Sequence, residues 1–309
     1  MTSSKLSTAE QVKTIWTLGG LPFRQFLKKV FAGINNDDLI ERAGDLAFNF
    51  VLALFPLMIF LLAVLGLTAR GGTLRTHLFS YFSSVLPPAA AQLVNHTMQQ
   101  VMRNATNAKV LYGIVLSLWF ASGGMTSMIS GLNGVYEVKE ERSWFKVRAV
   151  ALALTIAIAI LVIVALVVVL AGGYLANLVG NQLSLHSLVV IWKIAEWPVA
   201  ITFITFSFSL IYYFAPDLHE QHWYWITPGS VVGVVLWIGA SFAFRAYLHF
   251  FNSYSRTYGS LGAVMILLMW LYVTGFAFLV GGEINAQIEH AAAHHGHPEA
   301  KAPGEKEAA

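Results

Sequence analysis

The sequence predicts an all-α, polytopic membrane bundle, and two observations carry that prediction. Between residues 46 and 287 lie about six apolar stretches, each long enough to cross a hydrocarbon core about 30 Å thick, which takes about 20 helical residues. The clearest, residues 149–172, contains no ionisable side chain. Hydrophobic residues make up 57% of the chain and charged residues 11%, against about 25% charged in an ordinary soluble domain. About six spans use nearly half of the 309 residues, which leaves short loops and no second large domain. The net charge of +3 says little about partners. The absence of cysteine excludes disulfides, thiolate nucleophiles and Cys-ligated metal sites. The first residues lack a hydrophobic region followed by a small-residue cleavage site, so no removable signal peptide is expected.

The elements follow in order. Ser7 and Glu10 have capping-box spacing, so a first short helix is expected near Thr8. Phe23, Phe26, Leu27, Val30, Phe31 and Ile34 then fall on one helical face, with Arg24, Lys28 and Lys29 on the other. That pattern fits a helix in the headgroup region of an anionic leaflet, or one packed on the protein's own base. Asn36-Asp37-Asp38 offers an N-cap, and the next helix runs through Glu41 and Asp45 into a first span at 46–68 that Pro56 should kink. Further spans are expected at 110–135, 147–179, 188–214, 226–251 and 261–282, the last continuing as a helix towards Ile288. Thr227-Pro228 supplies an N-cap and a first-turn proline for the fifth. Residues 73–105, polar and broken by Pro87-Pro88, read as two amphipathic helices capping one membrane face. The domain plan is therefore an amphipathic N-terminal region at 1–45, a membrane domain at 46–289 with that cap, and a disordered tail at 290–309.

Orientation follows from Lys and Arg in short flanking loops. Lys5, Lys13, Arg24, Lys28, Lys29 and Arg42 precede the first span, and Lys139, Arg142, Lys146 and Arg148 lie between the second and third. Residues 180–187 have none. Six spans with both termini cytoplasmic satisfy this pattern, although residues 216–224, on the same side, also lack Lys and Arg.

Ionisable residues at membrane depth are the default functional candidates, because each is costly to insert. Lys193 and Glu196 are neighbours on one helical face in the outer third of the fourth span, and Arg245 and His249 lie at similar depth in the fifth. A Glu196–Arg245 pair could line an outward-facing polar cavity, or it could only pin two helices. Glu41, Asp45 and Glu283 sit near inner helix ends. Glu283 follows Gly281-Gly282 and could accept from Arg142, Lys146 or Arg148, either as an anchor or as a proton- or substrate-binding carboxylate. Gly123, Ser127 and Gly131 form a small-residue row for helix packing, beside Ser122, Thr126, Ser130 and Gly134. Thr202, Thr205 and Ser209 can bond back to their own helix. Trp119, Trp144, Trp223, Trp225 and Tyr258 read as interfacial anchors.

Enzymatic motifs are missing. The Asp217–His222 cluster fails the zinc-protease spacing because Trp223 stands where the second histidine belongs, and no serine elbow or phosphate cradle occurs. His290, His294, His295 and His297 lack a preorganised geometry for a metal. No metal, cofactor or catalytic residue is expected.

Three blocks resemble the YihY/BrkB family of bacterial inner-membrane proteins. They are Ala47-Phe48-Asn49-Phe50 through Leu54-Phe55-Pro56-Leu57; Leu132-Asn133-Gly134-Val135-Tyr136 with Trp144-Phe145-Lys146-Val147-Arg148; and a C-terminal block. The last comprises Tyr212-Tyr213-Phe214-Ala215-Pro216, Pro228-Gly229, Tyr258-Gly259-Ser260-Leu261-Gly262, Trp270-Leu271-Tyr272 and Gly282-Glu283-Ile284-Asn285-Ala286. The resemblance implies about six helices in a bacterial cytoplasmic membrane and no settled biochemistry, since members carry labels from ribonuclease and virulence factor to transporter. One departure is Asp217-Leu218-His219-Glu220, where relatives usually supply basic residues. RNA cleavage would need a basic surface beside an acid–base pair or a metal cluster, and no such set occurs, so no nucleic-acid partner is expected. Membrane lipids are the expected partners, with self-association left open. The expected function is translocation of a lipid-like or amphipathic envelope solute, with a non-catalytic envelope-integrity factor as the alternative.

Overall fold

The computed structural model describes residues 16–68, 107–182, 186–219, 226–250, 260–295 and 300–306. Among these the secondary structure is helical, with no strand. A 3-10 turn at Leu18–Gly20 precedes α1 (Phe23–Asn36), α2 (Leu39–Thr68), α3 (Asn107–Val135), α4 (Trp144–Gln182), α5 (His186–Phe214), α6 (Pro228–Phe250) and α7 (Ser260–His294). The helix expected near Thr8 and the cap at 73–105 lie outside the described residues.

The five helices α3 to α7 are long and apolar enough to cross a membrane. α2 stands where the first span is predicted and runs on through Pro56. Its role follows from where the chain's described ends meet. Gly19 packs so closely on α7 that a Cβ there would stand 2.5 Å from the Ile288 carbonyl oxygen and 2.8 Å from the Ala291 Cβ. Five crossings would leave those ends on opposite sides of a bilayer; with α2 as a sixth, both fall on one side, called here the base.

The core sits towards that base. Leu39, Ala43 and Leu46 of α2, Ile129, Leu132 and Val135 of α3, Leu154 of α4, Tyr212 of α5 and Phe278 and Leu279 of α7 are buried together. Away from it, Ile160, Ile194, Trp197, Val235 and Phe242 are exposed, as lipid-facing side chains must be. Only 11% of the spanning part of α6 is buried against 44% of that of α3, so α3 lies inside and α6 at the rim.

Local sequence fixes the joints. Asp37 and Asp38 turn α1 into α2, with Asp38 left-handed at φ 53°. Thr227 caps α6 as predicted: its Oγ1 accepts from the Ser230 N–H at 3.1 Å. α6 then meets α7 through glycine, and a Cβ at Gly229 would stand 2.1 Å from the Gly281 carbonyl oxygen. Asn285 clamps that crossing. Its Oδ1 accepts from Gly229 N–H at 2.9 Å, and its Nδ2 donates to Thr227 Oγ1 at 3.0 Å. The Tyr212 hydroxyl donates to the Phe278 carbonyl at 2.6 Å.

Three expectations need correction. The tail is not disordered from His290: α7 continues to His294 with His290 buried, and residues 300–306 fold back onto the base. The Gly123 row does not pack as a unit. Among the described residues nothing lies within 4 Å of a Cβ at Gly123, whereas Gly124 faces Ala53 at 3.1 Å and Gly131 faces Leu279 at 3.0 Å. The hundred-degree step between neighbouring residues sends Gly123 and Gly124 to different surroundings. Ser127 bonds back to the Gly123 carbonyl at 3.5 Å. Finally, Thr202 and Thr205 bond to their own helix at 2.8 Å each, but the buried Ser209 hydroxyl has no partner.

Candidate functional site

Glu283 is fully buried, at 0% exposure, in the basal third of α7. Two glycines bring it there. A Cβ at Gly282 would stand 2.6 Å from Leu132 Cδ2, and one at Gly33 on α1 would stand 1.8 Å from Glu283 Oε1. The carboxyl therefore fills the space that any larger residue at 33 would occupy. Oε1 accepts from Gln287 Nε2 at 2.9 Å. Among the described residues Oε2 is buried with no N–H or hydroxyl partner.

The group that faces this carboxyl is another carboxyl. Asp37, in the α1–α2 joint, lies close enough to Glu283 for the two carboxyls to interact. Two adjacent carboxylates repel, so such a pair favours a state in which one carboxyl carries a proton and donates to the other. Burial is the main cause that raises the Asp37 pKa above the ordinary range; the interaction with Glu283 offsets part of it, Glu137 adds to it and Arg42 opposes it. Arg42 is engaged elsewhere: its Nε donates to the Asp37 backbone carbonyl at 2.7 Å, and its guanidinium packs where a Cβ at Gly134 would be. Among the described residues no Lys or Arg pairs with either carboxyl. The expected donors to Glu283 are used differently, with Arg142 on Glu140 and Arg148 on Trp119.

A second cluster closes the base. Asp217, just beyond α5, accepts from the Glu141 N–H at 3.0 Å and from Lys306 Nζ at 2.6 Å, and pairs with Arg142 Nε at 3.4 Å. Its own N–H donates to Asn133 Oδ1 at 2.7 Å. Asn133 Nδ2 and Arg142 both donate to Glu140, at 2.8 and 2.6 Å. Lys306 also pairs with Glu141 at 3.1 Å, and Lys301 pairs with Glu289 at 3.2 Å. Residues 300–306 are thus a strap across the loops after α3 and α5. The loop after α5, which lacks its own Lys and Arg, receives cations from Arg142 and Lys306. Beside the strap an open cavity of about 600 Å3 is lined by Glu137, Lys139, Glu141, His219, Glu305 and Lys306. Its mixed charges favour no ligand class.

The two clusters respond to pH with opposite signs. Burial alone would raise Asp217 and Glu140, but bonds from Lys306 and Arg142 respectively outweigh it and hold both below the ordinary carboxylate range. Their contribution to stability is present above an ordinary pKa of about 4 and is lost as pH falls through the lowered value. Asp37 is raised, so its contribution is full below about 4 and fades as pH rises through the raised value. The chain has no cysteine, so spin labels can be placed at Lys28→Cys and His294→Cys. The distance distribution between α1 and α7 is expected to broaden as pH rises from 5 to 9 and to stay unchanged in a Glu283→Gln background.

The other predicted site residues do not converge. Lys193 and Arg245 are exposed and Glu196 is half-buried. Among the described residues no ion pair joins Glu196 to Arg245, because facing positions on one helix do not fix the register of its neighbour. The His249 side chain, residues 220–225, Tyr258 and His297 lie outside the described residues. Asp45 is exposed, with its carbonyl accepting from Asn49 Nδ2 at 2.9 Å. Sequence reasoning missed Gly33, Asp37, Asn133, Asp217 and Lys306 as partners. The available signal was Gly33 itself, which interrupts an apolar helix face one turn after Val30.

Residues of the blocks that carry the family resemblance make several of these contacts: Asn133 in the strap cluster, Gly229 against Gly281 and Asn285, and Glu283 against Gly33. A model of the family described as "Virulence factor BrkB" matches residues 30–305. The chain belongs to this family. Within the wider BrkB group it is 31% identical over 264 residues to the ribonuclease-like protein YfkH of Bacillus subtilis (strain 168), covering 85% of this chain and 94% of that one. It is 26% identical to a UPF0761 membrane protein of Xanthomonas oryzae pv. oryzae (strain PXO99A), over 86% of this chain and 60% of that protein. A counterpart in Xanthomonas campestris pv. campestris (strain B100) is 25% identical over the same shares. This BrkB chain thus spans about three fifths of the Xanthomonas relatives. No solved structure matches it.

Proposed function

We propose that this BrkB protein is a non-catalytic translocator of a lipid-like or amphipathic envelope solute, coupled to protons at the Asp37–Glu283 pair. In this reading it lies in the bacterial cytoplasmic membrane with its base in the cytosol. Arg24, Lys28, Lys29, Lys139, Lys146, Lys301 and Lys306 gather at the base, as the positive-inside rule requires.

The observation that carries the reading is the carboxyl pair. A helix that only holds a bundle together has no need of a fully buried acid whose partner is another acid, since an apolar side chain there costs less. A shared proton between α1 and α7 gives two states of one joint, which is what coupling demands. Lys193, Glu196 and Arg245, set among exposed Ile191, Ile194 and Trp197, offer the mixed oily and charged surface that an amphipathic solute would meet at the far side. The strap favours a second reading, an envelope-integrity factor, because a densely bonded base suits a scaffold.

Purified protein in liposomes with labelled phospholipid separates these. The expected result is lipid movement that changes with an imposed pH gradient, and a Glu283→Gln variant that moves lipid without that response. No movement by the wild type would sink translocation; an identical pH response in the variant would sink the coupling.

A further inference from the structure

Among the described residues one cation near the base of the bundle lacks a counter-charge. Arg148 stands one turn into α4, where the long apolar run begins. Its guanidinium lies over the Trp119 ring of α3, 4.2 Å from the centroid, and donates to the Trp119 carbonyl. The Trp119 ring is 6.1 Å from that of Trp144, which is 5.0 Å from that of Phe145. The aromatic contacts fix the direction of the guanidinium. They do not neutralise it.

Arg142, six residues earlier, is bound to Glu140 and Asp217. Arg148 has no carboxylate partner among the described residues, and its Nε is buried with nothing to bond. A guanidinium carries five N–H donors, and among the described residues one accepts from it, the Trp119 carbonyl. An arginine at the edge of a hydrocarbon layer is costly when its charge and donors are uncompensated. Beside Trp119, Val115, Leu116 and Phe120 of α3 are exposed, as are Trp144 and Phe145 of α4. A positive fork thus sits at the head of an exposed apolar face formed by α3 and α4.

We infer that the α3–α4 face binds one glycerophospholipid, its phosphate on Arg148 and its acyl chains along the exposed apolar side chains of α3. A phosphodiester offers the paired acceptor oxygens that a guanidinium fork fits, and basic pockets between membrane helices are a recognised way to hold such headgroups. The site stands apart from Asp37 and Glu283 and does not depend on translocation.

Native mass spectrometry of the full chain in detergent tests this. The probes are phosphatidylglycerol, diacylglycerol with the same chains, and inorganic phosphate. The wild type is expected to retain one phosphatidylglycerol and to bind diacylglycerol at least tenfold more weakly. Arg148→Gln should lose tenfold or more in phosphatidylglycerol affinity, the scale of a charge-assisted hydrogen bond. Arg148→Lys, which keeps the charge but not the fork, should fall between them and guards against a glutamine variant that does not fold. Lys146→Gln, two residues away and exposed, should change affinity by less than threefold. Equal binding by the wild type and Arg148→Gln, or equal retention of diacylglycerol, would overturn the site. Displacement of the lipid by millimolar phosphate would show a general anion site and overturn the lipid assignment.

Discussion

A Gly281→Ala variant is expected to lose most of its folded, monodisperse yield. The added Cβ would stand 2.3 Å from the Tyr212 hydroxyl oxygen, 2.6 Å from the Gly229 carbonyl oxygen and 3.1 Å from the Gly233 Cα. Two of those three atoms are backbone of α6, so no side-chain rotation relieves the clash, and α6 must move off α7. Overpacking of this kind costs about 1–3 kcal/mol. Displacement of Tyr212 would also weaken its bond to the Phe278 carbonyl, worth about another 1 kcal/mol. The clamp from Asn285 to Gly229 and Thr227 would open with it. Gly123→Ala provides the internal contrast, because among the described residues nothing lies within 4 Å of a Cβ there. Thermal unfolding in detergent should show a large fall for the first variant and almost none for the second. Equal behaviour of the two would refute the packing assignment of α6 against α7.

Asp217→Ala should be the next most damaging change. It removes the acceptor shared by the Glu141 N–H, Lys306 and Arg142, and leaves those donors facing a buried apolar methyl. Removing one partner from a buried ionic cluster costs on the order of 3 kcal/mol, because the remaining charges keep their desolvation penalty. The strap should come free, so residues 300–306 should become sensitive to carboxypeptidase under conditions where the wild type resists. A double-mutant cycle with Lys306→Ala isolates the pair. Additive effects would mean that the strap is held by something other than Asp217.

What could be read from the sequence follows from the range of the forces involved. Spans are local: an apolar run must cross lipid wherever it sits, and helices α2 to α7 fall within a few residues of their predicted bounds. The Thr227 cap is local as well, and its hydroxyl meets the Ser230 N–H as expected. The amphipathic α1 was half legible. Phe26 and Val30 pack inward while Phe23, Leu27 and Phe31 remain exposed, so one apolar face proves to be two stripes serving different neighbours. Glu283 was marked as a candidate, but not its partner, since Asp37 lies 246 positions earlier and reads as a turn residue. Sequence spacing likewise could not reveal the contact between Asp217 and Lys306, which is set by how three helix ends are cut to length. For the same reason the register of Glu196 against Arg245 could not be read, and the described residues hold no ion pair between them. Periodicity tells which side of a helix is polar, not which helix stands opposite.

The strap has a consequence for biogenesis. Residues 300–306 emerge from the ribosome after helices α2 to α7, yet they supply a cation to Asp217 and a backbone acceptor to the His219 N–H. A nascent chain halted at α7 would therefore present an acidic, half-bonded floor, chemically distinct from the strapped base. The charge of the base is therefore set only once the strap has docked, well after the helices it covers have formed.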